Sequence, residues 1–187
     1  MADKIMLIRH AEKPEDTPPP FGVDENGTEN KEELSVRGWQ RAGALTCLFG
    51  SKNIGFRYPE LASPQTIFAT SAVHHNHSLR PQHTVAPLAA LLGFAVITEY
   101  PEENEAELVE AATKAPGPVL IVWHHGNIPV IADLILGNEA TCPQHWPEDR
   151  FDMIWVFDRT SKGWHFLQVP QRLLAGDSDS PIITANA

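Results

Sequence analysis

The chain has 187 residues, 42% hydrophobic and 20% charged, with 14 Lys and Arg against 24 Asp and Glu and a formal net charge of −10. That length suits one folded unit, residues 1–187, with a full core, and the acidic balance excludes a nucleic-acid or anionic-membrane surface, which needs clustered basic residues. A small phosphorylated substrate stays open, because a few local arginines can hold one phosphate inside an acidic protein. No apolar run reaches transmembrane length, and Met1-Ala2-Asp3-Lys4 leads into a strand-like run without a signal-peptide pattern. Only Cys47 and Cys142 are present, too few for a disulfide scaffold, so the expected location is cytoplasmic.

In chain order, Ile5-Met6-Leu7-Ile8 is continuously apolar, the pattern of a strand covered on both faces. Glu12 to Leu34 is acidic and rich in Pro, Gly and Asn, and reads as a long surface excursion. Ser35 suits the cap of a helix over Val36 to Phe49, which Gly50 ends. Thr66 to Ala69 reads as a second strand, followed by a His-rich loop and a helix from Arg80 to Leu92. Phe94 to Thr98 reads as a third strand and Glu105 to Lys114 as a helix. Pro118 to Trp123 is the clearest strand, and Ile128 to Leu136 a helix with Pro129 in its first turn.

That alternation predicts an α/β fold, a three-layer sandwich with a mainly parallel central sheet. The rhythm breaks at the end, where Met153–Phe157 and Trp164–Val169 predict a C-terminal antiparallel hairpin. Residues 177–187 read as a loosely ordered tail.

Ligands on open α/β sheets bind outside the carboxyl ends of the strands, so residues at those ends carry the chemistry. Arg9-His10 sits where the first strand runs out. A histidine there can attack phosphorus through a ring nitrogen, with an arginine beside it forking onto the phosphoryl oxygens. Taken alone, the dipeptide fits a surface ion pair equally well. His124-His125 ends another strand, and Arg80 follows a third, so two arginines and two strand-end histidines converge on one edge.

Leu7-Ile8-Arg9-His10-Ala11-Glu12 resembles the Arg-His-Gly signature of the histidine phosphatase, or phosphoglycerate-mutase-like, superfamily. Ser35-Val36-Arg37-Gly38-Trp39-Gln40-Arg41-Ala42 is similar to that family's Leu-Ser-x-x-Gly-x-x-Arg-Ala helix. Arg80-x-x-x-Thr84 before Pro87-Leu88-Ala89 resembles its second arginine segment, and Val119 to Gly126 its second-histidine strand. Arg150-Phe151-Asp152 through Gln171-Arg172-Leu173-Leu174 is similar to a small-phosphatase branch. The resemblance implies that His10 is the nucleophile, that Arg9 and Arg80 clamp the phosphate, and that a second histidine stabilises the transition state, with no cofactor and no metal. The implied activity is hydrolysis of a small phosphate monoester through a phosphohistidine.

Position 11 is Ala where the family has Gly, and Thr70 to Leu79 lengthens the approach to Arg80. Counting from Val119 favours His124 as the second histidine. The pattern Trp-x-His-x-Asn-Ile-Pro favours His125, which we take, with His124 as the alternative. For the leaving-group proton, Glu99, Glu102 and Glu103 follow the third strand, and Glu12 is a further candidate; we take Glu102. Each of these carboxylates also reads well as a helix-start or arginine-paired residue. In the cluster His74-His75-Asn76-His77, with His83 behind it, His74 and His77 offer two zinc ligands with no Cys or carboxylate partner nearby, and the cluster reads better as a solvated loop. The competing activities are a phosphohistidine-protein phosphatase and a phosphoglycerate-type mutase. The excursion at Glu12–Leu34 is short for the enclosing insertions a mutase needs to exclude water. A phosphate-binding module without catalysis need not keep a nucleophile.

Overall fold

The structure is a computed structural model, and it describes residues 1–50, 58–73 and 77–183. The described strands are β1 (Lys4–Arg9), β2 (Thr66–Ala69), β3 (Val119–Trp123), β4 (Met153–Thr160) and β5 (Gly163–Pro170). The described helices are α1 (Val36–Phe49), α2 (Arg80–Leu92), α3 (Glu105–Lys114) and α4 (Ile128–Leu136). The strands form one sheet in the order β2-β3-β1-β4-β5. β2, β3 and β1 are parallel, and the β4–β5 hairpin joins antiparallel on the free side of β1.

Period-two alternation sorts the side chains of the sheet into two cores. Ile5 and Leu7 of β1, with Val119, Ile121 and Trp123 of β3, pack against Leu108 and Ala112 of α3 and Ile131 and Ile135 of α4. Met6, Ile8, Leu120 and Val122 point the other way, against Leu45 and Phe49 of α1 and Val85 and Leu88 of α2. The three layers expected from the alternation of elements are present. Because both faces of β1 and β3 are covered, these strands read as unbroken apolar runs.

Phe94 to Thr98 corrects the sequence reading, for it forms no strand. Only Ile97 bridges to Phe68. Phe94 and Val96 pack on one core and Ile97 on the other, so the alternation is real, but a single residue reaches bonding distance of β2. Within the described residues, the C-terminal segment is bonded as far as Ile182. The Gln168 side chain pairs with both backbone groups of Ile182, which is buried, and the Asp177 carboxylate accepts from the Leu173 and Leu174 amides. Side-chain-to-backbone bonds of this kind leave no apolar periodicity to read. Residues 184–187 lie outside the described residues.

The motif at the start of α1 has a physical account. The Ser35 hydroxyl accepts from the Gly38 amide and donates to the Glu12 carbonyl. A Cβ at Gly38 would lie 2.4 Å from that carbonyl oxygen, so only glycine lets the chain after β1 lie against the helix. One turn on, Arg41, 2% exposed, forks onto both Glu12 oxygens and both Asp177 oxygens. Burial works against its charge, but its hydrogen bonds to the Asp177 and Glu12 carboxylates override that and raise its pKa. Arg41 thus ties the loop after β1 to the C-terminal segment. Removing one partner of a buried ion cluster strands the others, so Arg41→Ala should lower stability by about 3–5 kcal/mol in urea unfolding. A loss below about 1 kcal/mol, the range of an exposed pair, would contradict this account.

Candidate active site

The parallel register of β1 and β3 builds the centre of the site. Ile8 pairs with Val122 and Arg9 with Trp123, and the ladder runs one rung further, with the His10 amide donating to the Trp123 carbonyl at 3.0 Å. Partners in a parallel ladder share a face, so His10 and His124 lie side by side. Their ring centroids are 5.3 Å apart, edge to face. His125 begins a 3₁₀ turn (His125–Asn127), and the charges it feels are those of Arg9, Glu148, Lys13 and His145.

His10 is 2% exposed, and its Nδ1 donates to the Ala11 carbonyl at 2.7 Å. That bond places the ring proton on Nδ1 and leaves the lone pair on Nε2. Burial, then His124, Arg9 and Arg80, hold its pKa well below the usual imidazole value, so it is neutral at physiological pH. His124 is pushed down to about 4 by burial and by Arg80, His125 and Arg9.

Arg9 is 1% exposed. Its Nη1 donates to the carbonyls of Pro147, Glu148 and Arg150 at 3.2, 2.6 and 3.1 Å, and its guanidinium carbon lies 3.9 Å from the Phe151 ring centroid. Burial lowers its pKa to about 10, offset by Glu148 and Asp149, so the charge persists. Arg80 opens α2, where the helix dipole also favours an anion. Its Nη2 donates to the Lys31 carbonyl at 3.2 Å. Thr84 couples the two segments: its hydroxyl donates to the Arg80 carbonyl and accepts from the Ala11 amide at 2.8 Å. Nε and Nη2 of Arg9 and Nε of Arg80 are buried without a protein acceptor. Such donors are costly unless an acceptor joins them, and the acceptor that suits two arginines and two histidines is an oxyanion.

Phe151 packs on His10 at 6.1 Å and also lines a cleft of about 450 Å³ with Lys13, Arg37, Glu148 and Asp149. Arg80 lines a second cavity of about 350 Å³, with Lys13, Lys31 and Phe21 from the excursion after β1. Neither cavity is lined by His10, Arg9 or His124.

The carboxylates separate clearly. Glu12 accepts from Arg37 and Arg41 through both oxygens and is committed to those bonds. Glu99 and Glu103 are exposed. Glu102 is half-buried in the turn before α3, just after Tyr100, whose carbonyl accepts from Ser71 beyond the end of β2. That places it at the same sheet edge as His10. His83 is taken up by the Glu33 carboxylate at 2.5 Å and packs on Trp39. His77 is exposed, and His74 and His75 lie outside the described residues.

No family model matches the chain, and no curated protein matches it. Solved structures match its fold. Mycobacterial glucosyl-3-phosphoglycerate phosphatase superposes with a TM-score of 0.57 at 13% identity, covering 92% of this chain and 100% of that one. The alpha-ribazole phosphatase from Shigella flexneri gives 0.54 at 14%, covering 96% and 98%. The protein histidine phosphatase SixA, complexed with tungstate, gives 0.54 at 14%, covering 90% and 97%. The chain therefore has the fold of the histidine phosphatases, as its motifs implied.

The depressed histidines set a pH dependence of known sign. With a folded pKa below the unfolded value, the unfolded chain binds more protons as pH falls, so stability is lost from about pH 6.5 toward 4. Imidazole NMR should show His124 titrating near 4, and added tungstate should move that titration upward. Titration of His124 near 6.5 would mean that burial and the arginines do not act on it as described.

Proposed function

We propose that this chain is a phosphatase that hydrolyses small phosphate monoesters through a phosphohistidine on His10. The observation that carries this reading is the group of buried Arg9 and Arg80 donors without a protein acceptor, set beside an imidazole whose Nδ1 is bonded to the Ala11 carbonyl, which leaves the lone pair on Nε2. Arg9, Arg80 and His124 hold the phosphoryl oxygens and stabilise the charge that grows on them in the transition state. Nε2 attacks phosphorus in line; the N–P bond forms as the ester P–O bond breaks, and the leaving oxygen takes a proton from Glu102. Water then attacks the phosphohistidine and gives a proton back to the Glu102 carboxylate; the new O–P bond forms as the N–P bond breaks, releasing inorganic phosphate and regenerating neutral His10. Between the two adjacent histidines we assign His124, because the β1–β3 register sets it against the nucleophile. We place the enzyme in the cytoplasm, on the evidence of two unpaired cysteines in one small chain.

Turnover of a panel of phosphate esters tests the reading. His10→Ala should abolish activity and the acid-labile phosphoryl label on the protein. His124→Ala should cost on the order of 100- to 1000-fold in kcat, while His125→Ala retains most turnover. Full activity in His10→Ala would sink the mechanism, and the reverse ranking of the two neighbours would return the second role to His125. Glu102→Gln should slow alkyl phosphates far more than aryl phosphates or phosphoramidates, whose leaving groups need less help from an acid. Equal slowing of all three classes would remove Glu102 as the proton donor.

A further inference from the structure

His124 owes its position to more than the β3 ladder. The strand ends at Trp123, and the chain turns at once into the 3₁₀ segment that leads to α4. Neither Asn127 nor His124 makes a side-chain cap bond at these helix starts. What holds the turn instead is a carboxylate from a different layer. Glu105, buried in the first turn of α3, accepts from the Trp123 indole N–H at 3.1 Å and from the Asn127 side-chain amide at 2.6 Å through the same oxygen, Oε1. The backbone N–H of Glu103 reaches that oxygen at 3.3 Å. The two side-chain donors flank His124, one residue before it and three after. Asn127 also closes the turn from within, its amide donating to the His124 carbonyl at 3.2 Å.

Resting on the function proposed above, we infer that Glu105 is a positioning residue: it staples the turn on both sides of His124 and so sets the angle at which that imidazole meets the phosphoryl group. The carboxylate tolerates burial because three N–H groups converge on it and the α3 N-terminus favours a negative charge. It acts by geometry and not by its field. The charges that depress His124 are those of Arg80, His125 and Arg9, and Glu105 is not among them. An acceptor of the same shape should therefore serve almost as well as the carboxylate.

The test compares Glu105→Ala, Glu105→Gln and Asn127→Ala in steady-state turnover of an aryl phosphate, with thermal melting of each variant. Glu105→Ala should lower kcat on the order of 10- to 100-fold with KM little changed, because a small misplacement of a group that acts in the transition state is costly. Glu105→Gln, which keeps an oxygen acceptor, should restore most of that kcat without shifting the pH profile. Asn127→Ala leaves the core filled, and should reproduce the kcat loss even if Glu105→Ala folds poorly. The double variant Glu105→Ala/Asn127→Ala should be no worse than Glu105→Ala. Wild-type kcat in Asn127→Ala, or losses that add in the double variant, would overturn the staple. Equal losses in Gln and Ala, with a shifted pH profile, would show that the charge acts instead. A wild-type chain with no turnover, and no phosphoryl label on His10, would fail the proposed function itself and not this assignment.

Discussion

The hydrogen bond from the His10 amide to the Trp123 carbonyl is the last rung of the ladder between β1 and β3, and the site is organised around it. Below this rung the two strands bury apolar side chains on both faces; above it the same alternation continues with polar ones. Arg9 follows Ile5 and Leu7 onto the α3–α4 side, where the segment Pro147–Arg150 wraps it in carbonyl oxygens. His10 follows Met6 and Ile8 onto the α1–α2 side, toward α2, which begins with Arg80. A slip of one residue in this register would exchange the faces of every one of these groups. The apolar core and the polar pocket are thus specified by one pairing.

Gathering positive charge around buried imidazoles has a consequence for protonation. Arg9 and Arg80 both lower the pKa of His10 and of His124, and burial lowers them further. The pocket therefore holds neutral histidines beside charged arginines at physiological pH, which is the state a nitrogen nucleophile needs. An entering dianion reverses the balance by supplying the negative charge that the pocket lacks. Carboxylates stay close but occupied: Glu12 is held by Arg37 and Arg41, and Asp177 by Arg41. Arg41 thereby keeps the Glu12 carboxylate, two residues from His10, bonded to α1 rather than to Arg9 or Arg80.

The elements and the polar strand end that holds Arg9 and His10 were legible in the sequence because they depend on local pattern. Continuous apolar runs marked β1 and β3, capping chemistry marked α1, and strand-end polar residues marked Arg9 and His10. What the sequence did not display depends on contacts between distant segments. The run Phe94–Thr98 carries strand-like alternation, but β2 accepts only Ile97 beside it. The end of the chain is pinned by Gln168 and Asp177, whose partners no periodicity announces. Choosing between His124 and His125 by motif leaned on His125, whereas the register favours His124. Register follows from which residues of two strands pair, and the sequence carries no direct sign of that. Glu105 read only as an acidic residue at a helix start, since Trp123 and Asn127 reach it from β3 and the turn beyond, 18 and 22 residues away.

Three polar ties join the segments of the site to one another. Thr84 ties the loop after His10 to the first turn of α2, Arg41 ties that loop to the C-terminal segment, and Glu105 ties the turn at His124 to α3. Each tie is a polar bond from a helix layer, two from the α1–α2 side and one from α3, to a residue at the sheet edge where the ladder has run out. The strands bring His10 and His124 together, but a ladder constrains side chains only as far as its last rung. Beyond that point, orientation has to come from bonds of this kind, and the phosphoryl transfer proposed for this site would rely on them for positioning.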